Sequence, residues 1–507
     1  MPEKTLDPTP YPLDHIAERG VDDEIALILR DREMRFADLR EAVGRMAAFL
    51  CERLSSGERV ASWAAKGELT CLLPLAAARA GVVHVPINPL LKRAQAAHIL
   101  ADSGTRLLIG TAARIETLEE GDVPAGCAVM SEDDALTAYA KVTVGLPPSK
   151  ADPESLAAIL YTSGSTGKPK GVMLSHANMW LGAVSVAHYL GMRRDDVTLA
   201  VLPLSFDYGQ SQLLYTWYAG GSVVPLDYLF PRDVAKACAR HRVTTLAAVP
   251  PLWLQLTESD WPDEARAGLR RLTNSGGALT SDLVHRLRSQ FPKANLYPMY
   301  GLTEAFRSTY LHPSLVDDHP TSMGTAIPFA EILVIDDQGA VCEADEEGEL
   351  VHCGPLVALG YWQDKKRTTQ RFRPAPAASQ YGGMAVWSGD RVRRAASGLH
   401  YFVGRRDAMI KSSGNRISPQ EIEDAALATD MVAEAVALGV PDDALGHAIH
   451  LIVRPAAGYS ASDDLAAVLA KDLPGFMQPH AIHWRDSIPR NPNGKTDRAA
   501  LAREYGV

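Results

Sequence analysis

The chain has 507 residues, 46% hydrophobic and 22% charged, which excludes a disordered, collagenous or disulfide-stapled protein. At roughly 100–200 residues per domain it holds two to four domains. Lys plus Arg number 51 against 61 Asp plus Glu, a net charge of −10, and an acidic balance argues against sequence-independent nucleic-acid binding, which rests on excess cations meeting phosphates.

The six cysteines, Cys51, Cys71, Cys127, Cys238, Cys342 and Cys353, form no CxxC pair and are expected to be buried, reduced thiols. Met1 to Asp14 carries charges and prolines where a secretory signal needs an apolar run. The most apolar stretch, Cys71 to Val85, is broken by Pro74, Arg79 and His84 and is short of the about 20 residues that span a bilayer. No membrane insertion and a cytoplasmic location are therefore expected.

Phe36, Leu39, Val43, Met46, Leu50 and Leu54 recur at spacings of three and four, predicting a helix that stops by Gly57. Val60–Trp63 and Val82–Pro86 read as strands. Apolar strands alternating with helical stretches continue past residue 300, the pattern of an α/β parallel sheet. Leu156–Leu160 reads as a buried strand, and Ser175 as the cap of a following helix. Arg373 to Gly383, rich in Pro, Ala and Gly, reads as a surface loop. Beyond it, Glu434–Val440, His447–Val453 and Ala481–Trp484 read as strands and Asp463–Lys471 as a helix, a small α+β unit. Two domains result, 1–404 and 405–507, joined near Asp407.

The strongest motif is Tyr161-Thr162-Ser163-Gly164-Ser165-Thr166-Gly167-Lys168-Pro169-Lys170-Gly171. Its glycines let successive N–H groups face one anion, its hydroxyls add donors, and Lys168 and Lys170 add charge where a polyphosphate would sit. It is not a Walker A loop, since the glycines are too close and Pro169 follows the lysine. Neither Ser163 nor Ser165 has the GxSxG surroundings of a hydrolase nucleophile.

This loop resembles the phosphate-binding signature of the adenylate-forming superfamily: acyl-CoA synthetases, adenylation enzymes and luciferases. Five further segments match in the family's order. Tyr300-Gly301-Leu302-Thr303-Glu304 resembles its YGxTE element; the resemblance implies that Tyr300 stacks on adenine, Thr303 bonds the α-phosphate and Glu304 holds Mg²⁺. Ser275-Gly276-Gly277 resembles the strand end that adenine approaches. Trp387-Ser388-Gly389-Asp390 resembles the TGD element, with Ser388 where Thr is usual, and implies that Asp390 holds the ribose. Gly404-Arg405-Arg406-Asp407, Lys411 and Gly414 resemble the hinge segment: Arg405 on the ribose, Asp407 as pivot, Lys411 and Gly414 beside a thiol tunnel. Pro489–Lys495 resembles the loop of the catalytic lysine, here Lys495.

The resemblance implies an ATP- and Mg²⁺-dependent acid–thiol ligase with a large α/β N-terminal domain and a small α+β C-terminal domain. It would activate a carboxylic acid as acyl-AMP, release pyrophosphate, and pass the acyl group to a thiol, foremost coenzyme A. The acid pocket maps to Asp207, Tyr208, Ser211, Trp253, Thr273, Ser275, Met299, Arg307 and Ser308, a small polar lining that disfavours long-chain fatty acids. Asp207 falls where amino-acid-activating members pair the substrate ammonium; Arg307 either neutralises Asp207 or meets a second substrate carboxylate. The segments Ser205–Gln212 and Tyr300–Leu311 look most like the acyl-CoA ligases associated with the exosortase A system. The alternative is a stand-alone, proline-type adenylation enzyme that loads the phosphopantetheine of a separate carrier protein. A regulatory nucleotide-binding relative is a third reading, against which Glu304 and Lys495 both speak. His447/His450 and His480/His483, three apart in strands, point to opposite faces and read as packed or surface histidines; Asp442 and Asp443 read as a turn.

Overall fold

The computed structural model describes residues 6–507 other than 163–168, 278, 280, 406–409, 418, 430, 457–458, 460–463 and 490–497, and the backbone alone for Pro251, Leu254, Asp282, Gly404, Arg405, Arg416, Gln420 and Ala499. The first predicted helix forms over Phe36–Cys51, with Phe36, Leu39, Val43, Met46 and Leu50 all fully buried along one stripe. It ends at Glu52, five residues before Gly57, which instead turns the chain into the strand Arg59–Trp63. The apolar Cys71 region is a buried helix, Glu68–Ala80, that tolerates Pro74 and is closed by Gly81 in the left-handed region.

Two large sheets carry most of the chain. Among the described residues, one has seven strands. Ala128–Ser131, Leu107–Gly110, Arg59–Trp63, Val83–Pro86 and Leu156–Thr162 run parallel, and Lys170–Ser175 and Gly360–Tyr361 close the edge antiparallel. The segment between the glycine loop and Ser175 is thus a strand, where the sequence reading passed straight from loop to helix. Its alternation, KGVMLS, pairs back on Leu156–Thr162 with Thr162 opposite Lys170.

The second sheet has fourteen described strands. Its parallel half comprises Ile25–Ile28, Ser222–Pro225, Val197–Ala200, Thr245–Ala248, Arg271–Asn274 and Asn295–Tyr300. From Thr309–Tyr310 on, the strands alternate in direction, through Ser322–Ala326, His400–Arg405, Met384–Arg394, Glu347–Cys353 and Glu331–Ile335. The helices His176–Tyr189 and Asp207–Tyr218 pack against each other and are buried along nearly their whole length. One hydrophobic core reaches from Leu13 to Leu399.

From Ile410 on, the described residues build a separate core of Ile417, Ile422, Leu451, Leu465, Leu469 and Met477. Val432–Asp442 and Gly446–Pro455 pair antiparallel, and Ala481–Trp484 joins in parallel, flanked by Pro419–Leu427 and Leu465–Asp472. The Asp442 carboxylate accepts from the N–H groups of Ala444 and Leu445, the expected turn. His450 and His483 meet at 3.0 Å across adjacent strands beside Tyr505, whereas His447 contacts the Lys411 carbonyl and His480 accepts from Ile449 N–H.

All six cysteines are free thiols. Four are buried, but Cys51 is exposed and Cys127 half-exposed, contrary to the expectation of burial. Cys51 falls off the apolar stripe of its helix, so solvent is where its position puts it.

Candidate active site

A cavity of about 950 Å³ opens where the two sheets and the C-terminal unit meet. Its walls include Thr162, Lys170, Ser205, Asp207, Tyr208, Ser275, Gly276, Thr303, Glu304 and Arg307, with Gly414 and Glu421 from the C-terminal side. Five separate stretches of sequence thereby share one space.

Thr162 ends its strand at the mouth of the glycine loop and lines this space; its buried Oγ1 has no hydrogen-bond partner among the described residues. Ser163, Gly164, Ser165, Thr166, Gly167 and Lys168 lie outside the described residues, as do Asp407 and Lys495. Lys170 Nζ contacts Glu304 Oε1 at 3.2 Å and the Tyr361 hydroxyl at 2.7 Å, and that hydroxyl donates to Glu304 at 2.6 Å. Tyr361 was not anticipated, and neither was Arg371. Burial works against the Arg371 charge, but Glu304, Tyr361, Asp390 and Tyr300 outweigh it and raise its pKa. With Arg367 and Arg373 it lines the cavity beside Lys170, and the basic run KKRTTQR just after Tyr361 was the available signal. An orphan hydroxyl, four cations and a hard carboxylate fit a triphosphate with Mg²⁺; when bound, that ion would lie on Glu304 and neutralise phosphate charge.

Tyr300 ends the last parallel strand and donates to Asp390 Oδ2 at 2.5 Å. Asp390 is buried and sits opposite Arg405 in the sheet register, so the residues expected around adenine and ribose are neighbours. Tyr300, Asp390 and Gly277 stand behind the cavity wall, whereas Ser275 and Gly276 are on it. Asn274 Nδ2 donates to the Gly277 carbonyl and closes that turn.

Of the expected acid-pocket residues, Asp207, Tyr208, Ser275 and Arg307 form the wall; Ser211, Trp253, Thr273, Met299 and Ser308 lie buried behind it. Tyr208 is the reason. Its hydroxyl reaches Thr273 Oγ1 at 2.7 Å and the Arg307 guanidinium covers its ring at 4.7 Å, so the pair make a floor that cuts the pocket short. Trp253 donates to the Thr273 carbonyl, Met299 sulfur accepts from Tyr189, and Ser308 meets His352, whose burial lowers its pKa to about 3.

Asp207 opens the helix Asp207–Tyr218 and accepts from Thr303 Oγ1 at 3.0 Å. Burial pushes its pKa up, and the Arg307 charge opposes that without an ion pair between them. Arg307 follows Phe306, whose φ of +56° and ψ of −69° is a rare γ-turn geometry costing about 1–3 kcal/mol. The Phe306 ring fills the space that a side chain on Gly182 would take, and Gly301 lets Arg307 pass where a Cβ would come within 3.2 Å of Cδ and Nη1. Packing at both points holds the strained turn and aims Arg307 inward.

On the C-terminal wall, Lys411 lies over the Phe402 ring at 4.2 Å rather than on the cavity. Gly414, in a hairpin at φ +76°, meets Val249 where a Cβ would come within 2.7 Å, and its carbonyl faces Gly276. Nearby Glu421 is 9% exposed, and burial, helped by Asp424, raises its pKa to about 8. An acid whose folded pKa lies above its unfolded value of about 4.3 binds more protons when folded. Its contribution is therefore complete below pH 4.3 and is lost as pH rises to about 8, by up to about 1.4 kcal/mol per unit. Glu421→Gln is expected to flatten that decline in unfolding calorimetry between pH 5 and 9; parallel pH curves for the two proteins would contradict it.

Residues 13–362 match the family model "AMP-binding enzyme", and 421–495 match "AMP-binding enzyme C-terminal domain". The chain is 32% identical to an L-proline–[L-prolyl-carrier protein] ligase of Pseudomonas fluorescens, across 96% of this chain and 95% of that one. It is 28% identical to tyrocidine synthase 2 of Brevibacillus parabrevis, spanning 96% of this chain but 13% of that protein. Among solved structures, the o-succinylbenzoate CoA synthetase of Bacillus subtilis, bound to a product analogue, superposes with a TM-score of 0.84 at 27% identity and 98% coverage of both chains. No described helix is long and apolar enough to cross a membrane. A phosphate-loop strand, a YGLTE turn and a WSGD strand thus converge on one cavity, and the chain belongs to the AMP-binding enzymes of the adenylate-forming superfamily, as an ATP- and Mg²⁺-dependent acid–thiol ligase.

Proposed function

We propose that the acid is small, polar and amine-bearing, and that its acyl group passes to a phosphopantetheine thiol, as coenzyme A or on a separate carrier protein. The observation that carries this is Asp207. A carboxylate buried on the cavity wall, bonded to Thr303 and without an ion pair among the described residues, is costly until a cation reaches it. The substrate ammonium is that cation, and it leaves the substrate carboxylate beside Thr303, where the α-phosphorus belongs.

In the first half-reaction a carboxylate oxygen forms a bond to the α-phosphorus of ATP, the α–β bridging bond breaks, and pyrophosphate leaves. Lys495 sits between the two anions and stabilises the charge that builds up between them. Thr303 orients the α-phosphate; Thr162, Lys170 and the 163–168 loop hold the phosphates beyond it. In the second, unit 405–507 turns about Asp407 against 1–404, and the thiol enters past Gly414. Sulfur attacks the acyl carbonyl, its proton goes to solvent, and AMP leaves. The short pocket floor of Tyr208 and Arg307 supports a small acid. Coenzyme A is supported by the resemblance to the exosortase A-associated ligases, a carrier thiol by the prolyl-carrier relative.

Pyrophosphate release with amino acids, neutral and acidic, and with their des-amino analogues (alanine against propionate, proline against cyclopentanecarboxylate, aspartate against succinate) tests this. At least one amino acid should exceed its analogue by about 10²-fold in kcat/KM. Preference for the analogues, or silence throughout, overturns the reading. Thioester formation with coenzyme A or with a phosphopantetheinylated carrier then identifies the acceptor.

A further inference from the structure

Arg371 ends the short helix Lys365–Arg371 on the cavity wall. The cations around it are engaged: Lys170 by Glu304 and Tyr361, Arg367 by Asp364 at 3.2 Å, and Arg373 by Glu349 at 3.6 Å and by the Trp387 ring. Arg371 makes no hydrogen bond and no ion pair among the described residues, and its Nε is buried without a partner. Its place is nonetheless defined. The next residue, Phe372, packs edge-on against Tyr361 at 5.4 Å, and Gly389, at φ +67°, leaves room for Nη1, which a Cβ there would approach within 2.8 Å. Burial works against the Arg371 charge, and the Glu304 and Asp390 carboxylates sustain it without touching it.

We infer that Arg371 is a further catalytic residue, which binds the α-phosphate and stays on it through both half-reactions. This rests on the reading of the cavity as the nucleotide site, with Asp390 on the ribose and Glu304 on Mg²⁺. A nucleotide laid between those carboxylates is ordered by its own bonds: ribose, α-phosphate, then the phosphates beyond. A cation under the influence of both therefore falls at the α-phosphorus, and a planar guanidinium suits two phosphate oxygens at once. Arg371 belongs to the same unit as Asp390 and Glu304, whereas Lys495 belongs to the unit that turns away. In the second half-reaction sulfur bonds to the acyl carbon, the bond from that carbon to the phosphate oxygen breaks, and the thiol proton passes to solvent. AMP leaves with one more negative charge than it carried as the acyl-phosphate. With Lys495 withdrawn, Arg371 is the cation that stabilises it.

The test is calorimetric titration of the full chain with AMP and with adenosine, which differ only in the phosphate. The wild type should bind AMP at least about tenfold more tightly than adenosine. Arg371→Met, of similar length but uncharged, should lose that preference and keep its affinity for adenosine; Arg371→Gln is read in its place if the first variant does not fold. With an acid that supports pyrophosphate release, the same variant should slow both half-reactions, assayed separately, by about tenfold or more, whereas Lys495→Ala slows only the first. A wild type that binds AMP and adenosine alike overturns this inference and leaves the ligase reading standing. So does a variant that weakens both compounds equally, keeps the preference for AMP, or loses pyrophosphate release alone. A wild type that binds neither compound, nor ATP, overturns the nucleotide reading of the cavity as well.

Discussion

Lys495→Ala is expected to lower pyrophosphate release by about 10²–10³, the 3–4 kcal/mol typical of removing one preorganised donor from developing negative charge. Thioester formation from supplied acyl-AMP should be spared. The asymmetry follows from the chemistry: the first step brings two anions together and needs a cation between them, whereas the second brings a thiol to a neutral carbonyl. Lys495 lies outside the described residues and closes the segment that matches the family's C-terminal domain. Separate assays of the two half-reactions decide it, and an equal loss in both would end the division of labour.

The second large effect is at Asp207. Asp207→Asn should reduce kcat/KM for an amine-bearing acid by about 10² or more while leaving the des-amino analogue little changed, because only the former uses the charge. Folding should not suffer. Burial raises the Asp207 pKa, so the folded state prefers the protonated form, and an amide in its place removes a group whose ionisation costs stability as pH rises. Binding the ammonium needs the ionised form, so the wild-type kcat/KM should climb with pH along a limb lying above the ordinary aspartate value of about 3.9. The variant should lack that limb. A loss of thermal midpoint with no change in the amine/des-amino ratio would make Asp207 a structural residue.

Much of the fold was legible wherever a residue's own surroundings settle its place. The Phe36 stripe follows from periodicity, and the apolar runs Val60–Trp63, Glu434–Val440 and Ala481–Trp484 lie within the strands Arg59–Trp63, Val432–Asp442 and Ala481–Trp484. Lys170–Ser175 was missed because a six-residue strand before a helix cap looks like a lead-in, and only pairing with Leu156–Thr162 distinguishes it. Motif order located the stretches that meet at the cavity, but not their depth. Whether Ser211 or Tyr208 lines the cavity depends on a hydrogen bond to Thr273, 65 positions away. Tyr361 and Arg371 escape the sequence reading for a related reason, although the basic run after Tyr361 is a signal. A basic, polar run reads as a solvated surface until Glu304 and Asp390, remote in sequence, are known to lie beside it.

The meeting of Gly414 with Gly276 and Val249 has a consequence for how the enzyme can diverge. At that seam the Gly414 carbonyl faces Gly276 and the Gly414 α-carbon lies against the Val249 side chain, so a side chain added at Gly414 would push the two units apart. Side chains around it can therefore drift to suit new substrates, whereas the glycine at position 414 cannot be enlarged without moving one unit off the other.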